Sequence, residues 1–169
     1  MFLTSFAETI QSCLKNHKLI LKIHTKTDKR ERDSMMKFVS NHDNLKSSVH
    51  LLNCKDVGVV GTIEHKWPKD KHPENKSISQ RNEKQIIQFF NKLGLGFDFY
   101  EHHTFFAGTF FMCKPKILYL LIKSLQEYLI TFEKDFNYGK PGEDCFIEHA
   151  WERIITMWFH LHGYKISGV

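Results

Sequence analysis

Apolar residues recur along this chain with two periods, one near 3.6 and one near 2, and together they lay out an alternation of helices and short strands. Phe2, Leu3, Phe6, Ile10, Cys13 and Leu14 fall at helical spacing and predict an amphipathic helix over residues 2–15. The run Leu19-Ile20-Leu21-Lys22-Ile23 predicts a strand that stops at the polar segment His24 to Arg30. A strand that runs out into a polar loop is where α/β proteins place ligands. Helices are predicted near 31–40 and 45–53, and Val57-Gly58-Val59-Val60-Gly61 predicts a second, buried strand.

Residues 62–78 are polar, carry Pro68 and Pro73, and predict a long loop. A helix is predicted from about Ser79 to Leu93, with Ile86, Phe89 and Phe90 inward and Gly94 as its stop. The aromatic stretch from Phe97 to Met112 predicts strand, tight turn, strand, with Ala107-Gly108-Thr109 at the turn. Pro115 suits the first position of a helix running to about Ile130. A loop over 131–143 holds Gly139, Pro141 and Gly142, and a last helix spans about Asp144 to His162 before Gly163. The fold class that follows is α/β, one domain over 1–169, with a short mixed or parallel sheet flanked by helices and strands near 19–23, 57–61 and 106–112.

Composition sharpens this picture in a few places. A chain of 169 residues with 41% apolar content and 15 phenylalanines buries a sizeable core and is not disordered. Lys and Arg number 24 against 19 acids, a net charge of +5. That mild excess suits an anionic partner such as a nucleotide diphosphate, a nucleic acid or a membrane surface, without choosing among them. Basic residues are dispersed, and the aromatics sit in apolar blocks without interleaved Arg or Gly, which argues against a nucleic-acid module. Cys13, Cys54, Cys113 and Cys145 form no CxxC pair, so reduced thiols are expected in place of a zinc knuckle or a disulfide framework. Met1 to Gln11 lacks a basic n-region, and no apolar run approaches the roughly 20 residues that span a bilayer. The expectation is a cytoplasmic protein with no transmembrane segment, peripheral to a membrane where it works at one.

The last predicted helix carries the candidate chemistry. Stepping about 100° per residue from Ile147 puts Trp151, Ile154, Ile155 and Trp158 on one side and His149, Arg153, Thr156 and His160 on the other. A core helix needs only the first face. The acidic pair Glu143-Asp144 stands just before it, where a helix dipole favours acids and where a carboxylate could serve as a base. Glycosyl transfer without a covalent intermediate needs such a base, and it needs cations to offset charge on a departing diphosphate.

Three segments resemble the rhamnan synthesis protein F family, in its order along the chain. They are Lys22-Ile23-His24-Thr25-Lys26, Phe106-Ala107-Gly108-Thr109-Phe110-Phe111, and Asp144 followed by His149-Ala150-Trp151-Glu152-Arg153. The resemblance covers about residues 2 to 163, and the family's N-terminal part is expected to be missing before Met1. It implies a glycosyltransferase of polysaccharide assembly with a single Rossmann-like, GT-A-like sheet, a nucleotide-sugar donor and a glycan acceptor. By position it implies Asp144 as catalytic base or substrate carboxylate, beside Glu143. His24 and Lys26 become phosphate-side groups, and Gly108 and Thr109 the acceptor-side wall. His149 becomes a metal or diphosphate contact, with manganese or magnesium as the divalent ion, and Arg153 with Glu152 an ion pair or phosphate clamp. The alternative is a non-catalytic remnant that binds sugar or a partner enzyme. A glycosidase is disfavoured, because no second carboxylate stands at a readable spacing.

Overall fold

The computed structural model describes residues 12, 16–23, 29–63, 66–67, 82–96, 104–106, 110–132 and 147–169. The predicted helix over 2–15 therefore lies outside the described residues, save for Ser12. Strand β1 is Ile20–Lys22, followed by helices α1, Lys29–Ser40, and α2, His42–Asn53. Strands β2, Val57–Gly61, and β3, Lys66–Trp67, precede helix α3, Glu83–Lys92. Then come β4, Phe105–Phe106, β5, Phe111–Cys113, helices α4, Pro115–Phe132, and α5, Ile147–Leu161, and a last strand β6, Lys165–Gly168.

Local chemistry sets several of these ends. Asn41 caps α2, its Oδ1 accepting the N–H groups of Asp43 at 2.9 Å and Asn44 at 3.3 Å. Such a cap stabilises a helix by about 1 kcal/mol. Gly94 and Gly163 follow α3 and α5 with φ of 69° and 76°, the left-handed conformation that ends helices and that glycine adopts without penalty.

The main sheet has four strands in the order β1-β5-β2-β6. β5 is antiparallel to both β1 and β2, whereas β2 and β6 run parallel. The sheet is mixed, and helices cover both of its faces. Phe111 and Cys113 of β5 point into the larger core with Val59 and Ile166, and that core is completed by α3, α4 and α5. Met112 points the other way, toward Val60 and the core built with Met35 and Phe38 of α1 and Leu52 of α2. This alternation is the period of two expected of a strand buried on both faces. Val57 breaks it, sharing the second core with Val60 although Val59 lies in the first. The register against β6 shifts between Val57 and Val59, so Gly58 is an extra residue there and the side chains change face across it.

Aromatic packing locks α5 to its neighbours. Phe89 meets Trp151 edge-on at 4.9 Å, and Phe90 stacks on Trp158 at 6.4 Å. The indole N–H of Trp158 donates to the Ile117 carbonyl at 3.2 Å, which satisfies its one polar atom inside the core.

Three sequence expectations need correction. The 62–78 loop contains a strand, β3, whose Lys66 and Trp67 pair with Phe106 and Phe105. The strands read on either side of Ala107-Gly108-Thr109 are present as β4 and β5, but they belong to different sheets: β4 pairs with β3 while β5 enters the main sheet. β6 was not expected at all. It has one apolar residue, Ile166, facing the core, since an edge strand beside β2 needs no more.

Candidate functional site

Helix α5 carries the last of the three motif segments and packs against β4, which leads into Ala107-Gly108-Thr109. Its face carrying Arg153 and Thr156 was expected to be polar and accessible. Instead Arg153 is 5% exposed and Thr156 is fully buried. The physical reason is the two-stranded sheet, which lies against that face and covers it. The Arg153 guanidinium sits 5.2 Å from the centre of the Phe105 ring. A cation over an aromatic face is attracted by the ring quadrupole, more strongly when water is excluded. One turn on, the Thr156 hydroxyl accepts the Phe106 N–H at 3.3 Å and donates to the Arg153 carbonyl at 3.2 Å. Both residues of β4, which lead into Ala107-Gly108-Thr109, are thus fastened to α5.

Strand β1 leads into His24 and Lys26. Lys22 is buried at 9% exposure, and its ammonium donates to the Ile23 carbonyl at 3.0 Å. Burial pushes the amino group below its ordinary pKa, and the Glu152 carboxylate pulls it partly back up.

Of the predicted site residues, His24, Lys26, Gly108, Thr109, Glu143 and Asp144 lie outside the described residues, as does the side chain of His149, whose backbone opens α5. Arg153 is described, inside the layer between α5 and β4. Two participants were not anticipated. Lys22 had a signal: in a strand with period two, Ile20 and Lys22 share a face, and Ile20 packs on the main core. Phe105 had none, since one phenylalanine in an aromatic run does not announce which helix it meets.

Among the described residues no three metal-ligating side chains come together. His149, the metal contact that the resemblance implies, has its side chain outside the described residues, as have Glu143 and Asp144.

The sequence matches no protein-family model, no curated protein and no solved structure. Among the described residues no helix is long and apolar enough to cross a membrane. The described thiols, Cys54 at the surface and Cys113 in the core, are both free, and burial pushes the Cys113 thiol far up.

Proposed function

We propose that this chain is a glycosyltransferase domain, transferring a sugar from a nucleotide-sugar donor to a glycan acceptor in polysaccharide assembly. The fold of the proposal is the GT-A-like, Rossmann-like sheet that the resemblance to the rhamnan synthesis protein F family implies. One observation supports it most: the helix that carries His149-Ala150-Trp151-Glu152-Arg153 is tied to the strand leading into Ala107-Gly108-Thr109, through Arg153 against Phe105 and Thr156 against Phe106. A structural helix needs no buried arginine, because its charge costs desolvation free energy. A site that must hold an anion does need such a cation.

In the proposed reaction the Asp144 carboxylate, beside Glu143, takes the proton of an acceptor hydroxyl. The hydroxyl oxygen bonds to the anomeric carbon of the donor, and the bond to the nucleoside diphosphate breaks with its electron pair leaving on the phosphate. His24, Lys26 and His149 meet the developing charge, and Gly108 and Thr109 border the acceptor. Arg153 acts from inside, holding β4 in place and adding positive potential beneath the phosphates.

The test is a thermal-shift and titration screen of the chain against nucleoside diphosphate sugars, with and without manganese. A specific donor at a hundred times its dissociation constant adds about 2.7 kcal/mol of stability. Absence of a shift with every donor would remove the proposal.

A further inference from the structure

We propose a saccharide-binding cleft at the carboxyl end of the main sheet, between the end of α1 and the start of α2. Strands β1, β2 and β6 run in one direction, since β5 is antiparallel to β1 and β2 while β6 is parallel to β2. Their last residues, Lys22, Gly61 and Gly168, share one edge of the sheet. Lys22 and Gly61 both stand opposite Phe111, and Gly61 stands opposite Gly168. Open α/β sheets bind ligands in the crevice outside this end of their strands. A cleft of about 640 Å³ opens there, bordered by Thr62 and Ile63 after β2, Val169 after β6, Lys37 of α1, and Asp43 and Asn44 of α2. Its size is that of a small-molecule site. The inference does not rest on the transfer reaction, because a domain that only holds a glycan would keep the same cleft.

The hydroxyl of Thr62 points to a ligand. Thr62 lines the cleft at 7% exposure, and its Oγ1 is buried with no hydrogen-bond partner. The other buried hydroxyls among the described residues are satisfied. Ser48 donates to the Asn44 carbonyl at 2.7 Å, and Thr156 bonds with Phe106 and Arg153. A buried polar group left unpaired destabilises a fold, and valine would fill the same space without that cost. A bound group that pairs with the hydroxyl accounts for a threonine in this wall. The wall itself is held firmly. The Ile63 N–H donates to the Val169 carbonyl at 3.2 Å, and the Val169 N–H donates to the Gly61 carbonyl at 3.0 Å. A Cβ on Gly168 would lie 2.8 Å from Ile63 Cα, so glycine is what lets the two segments close this tightly.

The rest of the lining selects the ligand class. Lys37 and Asp43 offset each other, so the cleft does not favour an anion. Ser40, Asn41, His42 and Asn44 supply hydroxyl, amide and imidazole groups that together donate and accept. A sugar hydroxyl does both, and a ring carrying several of them needs such a mixed set. Ile63 is 65% exposed at the rim, the largest exposure of a big apolar side chain among the described residues. The C–H face of a pyranose would cover it.

The experiment follows the backbone amides of the full chain by nuclear magnetic resonance during titration with the methyl pyranosides of glucose, galactose, mannose and N-acetylglucosamine, and separately with inorganic phosphate. The pyranosides carry no nucleotide, so they read this cleft whether or not the chain transfers sugar. At least one is expected to bind and to shift the amides of Thr62, Ile63 and Asn44. Thr62→Val is expected to weaken that binding about three- to tenfold, the effect of one neutral hydrogen bond. Its Tm should be unchanged or raised, because the fold itself loses no bond. Ile63→Ser, at an exposed position, should also weaken binding. The proposal is overturned if no pyranoside binds, if the shifts fall elsewhere, if Thr62→Val binds like the parent or lowers Tm, or if inorganic phosphate shifts the same amides and the pyranosides do not. Binding of a nucleotide sugar with no pyranoside binding would remove this cleft and leave the transferase standing.

Discussion

The guanidinium of Arg153 lies over the ring of Phe105 at 5.2 Å, with Arg153 only 5% exposed. This contact joins the helix that carries His149-Ala150-Trp151-Glu152-Arg153 to the strand that leads into Ala107-Gly108-Thr109. Loss of the charge and stem together, as in Arg153→Ala, opens a void and leaves β4 without its anchor. The expected cost is about 2–4 kcal/mol, or a fall in Tm of roughly 2–4 °C per kcal/mol. Arg153→Lys keeps the charge and loses the planar stacking, so it should recover only part of that stability. Urea denaturation of the three proteins measures this, and an unchanged midpoint for Arg153→Ala would deny the anchor.

Thr156→Val tests the neighbouring tie. The substitution keeps the shape and removes the hydroxyl that accepts the Phe106 N–H. A buried amide left without its acceptor costs about 1–3 kcal/mol. The same variant should speed hydrogen exchange at the Phe106 amide, which separates the loss of this bond from a general loosening of the core.

Lys22 gives a pH signature with a definite sign. Its folded pKa lies below the ordinary value, chiefly from burial. Between the folded and unfolded values the unfolded chain binds the extra proton, so this group makes stability rise with pH up to about 10.4. Cys113 contributes in the opposite direction, because its folded thiol is pushed up and the unfolded chain loses that proton first. The comparison must therefore be with Lys22→Met, which removes only the lysine slope. Urea midpoints from pH 7 to pH 10 should show the parent gaining on Lys22→Met as pH rises. Parallel curves would contradict the buried lysine.

Gly58 marks the irregularity between β2 and β6. A Cβ there would lie 2.7 Å from Phe159 Cδ1 and 2.7 Å from Tyr164 Cβ. Neither neighbour can withdraw easily, since Phe159 is fully buried and Tyr164 packs on the same core. Gly58→Ala is expected to destabilise by about 1–3 kcal/mol through overpacking, read from the thermal midpoint.

Helix positions were legible in the sequence because long apolar periods average over many residues. Ile86, Phe89 and Phe90 announce α3, and Gly94 and Gly163 mark where helices end. The strands β1 and β2 were legible for the same reason, as apolar runs between polar ones. Pairing was not. Nothing local says that Phe105–Phe106 joins Lys66–Trp67 while Phe111–Cys113 joins β1 and β2, since partner choice is settled by contacts far apart in sequence. The burial of Arg153 and Thr156 was hidden for a related reason: a helical projection sorts faces by polarity, and it cannot reveal that a second sheet covers the polar one. Lys22 was half legible, since strand alternation puts it on the face of Ile20.

Turnover by the Asp144→Asn variant tests directly whether this domain, as proposed, transfers sugar with Asp144 as base. Asparagine keeps the shape and capping ability of the side chain but takes no proton. With the donor found by the nucleotide-sugar screen, transfer by the parent is expected. Asp144→Asn should lose it while binding the donor with nearly the same affinity and unfolding at nearly the same temperature. A parent that binds donor without transferring it would rule out the transferase, and a variant whose rate stays within a few-fold of the parent would rule out Asp144 as base.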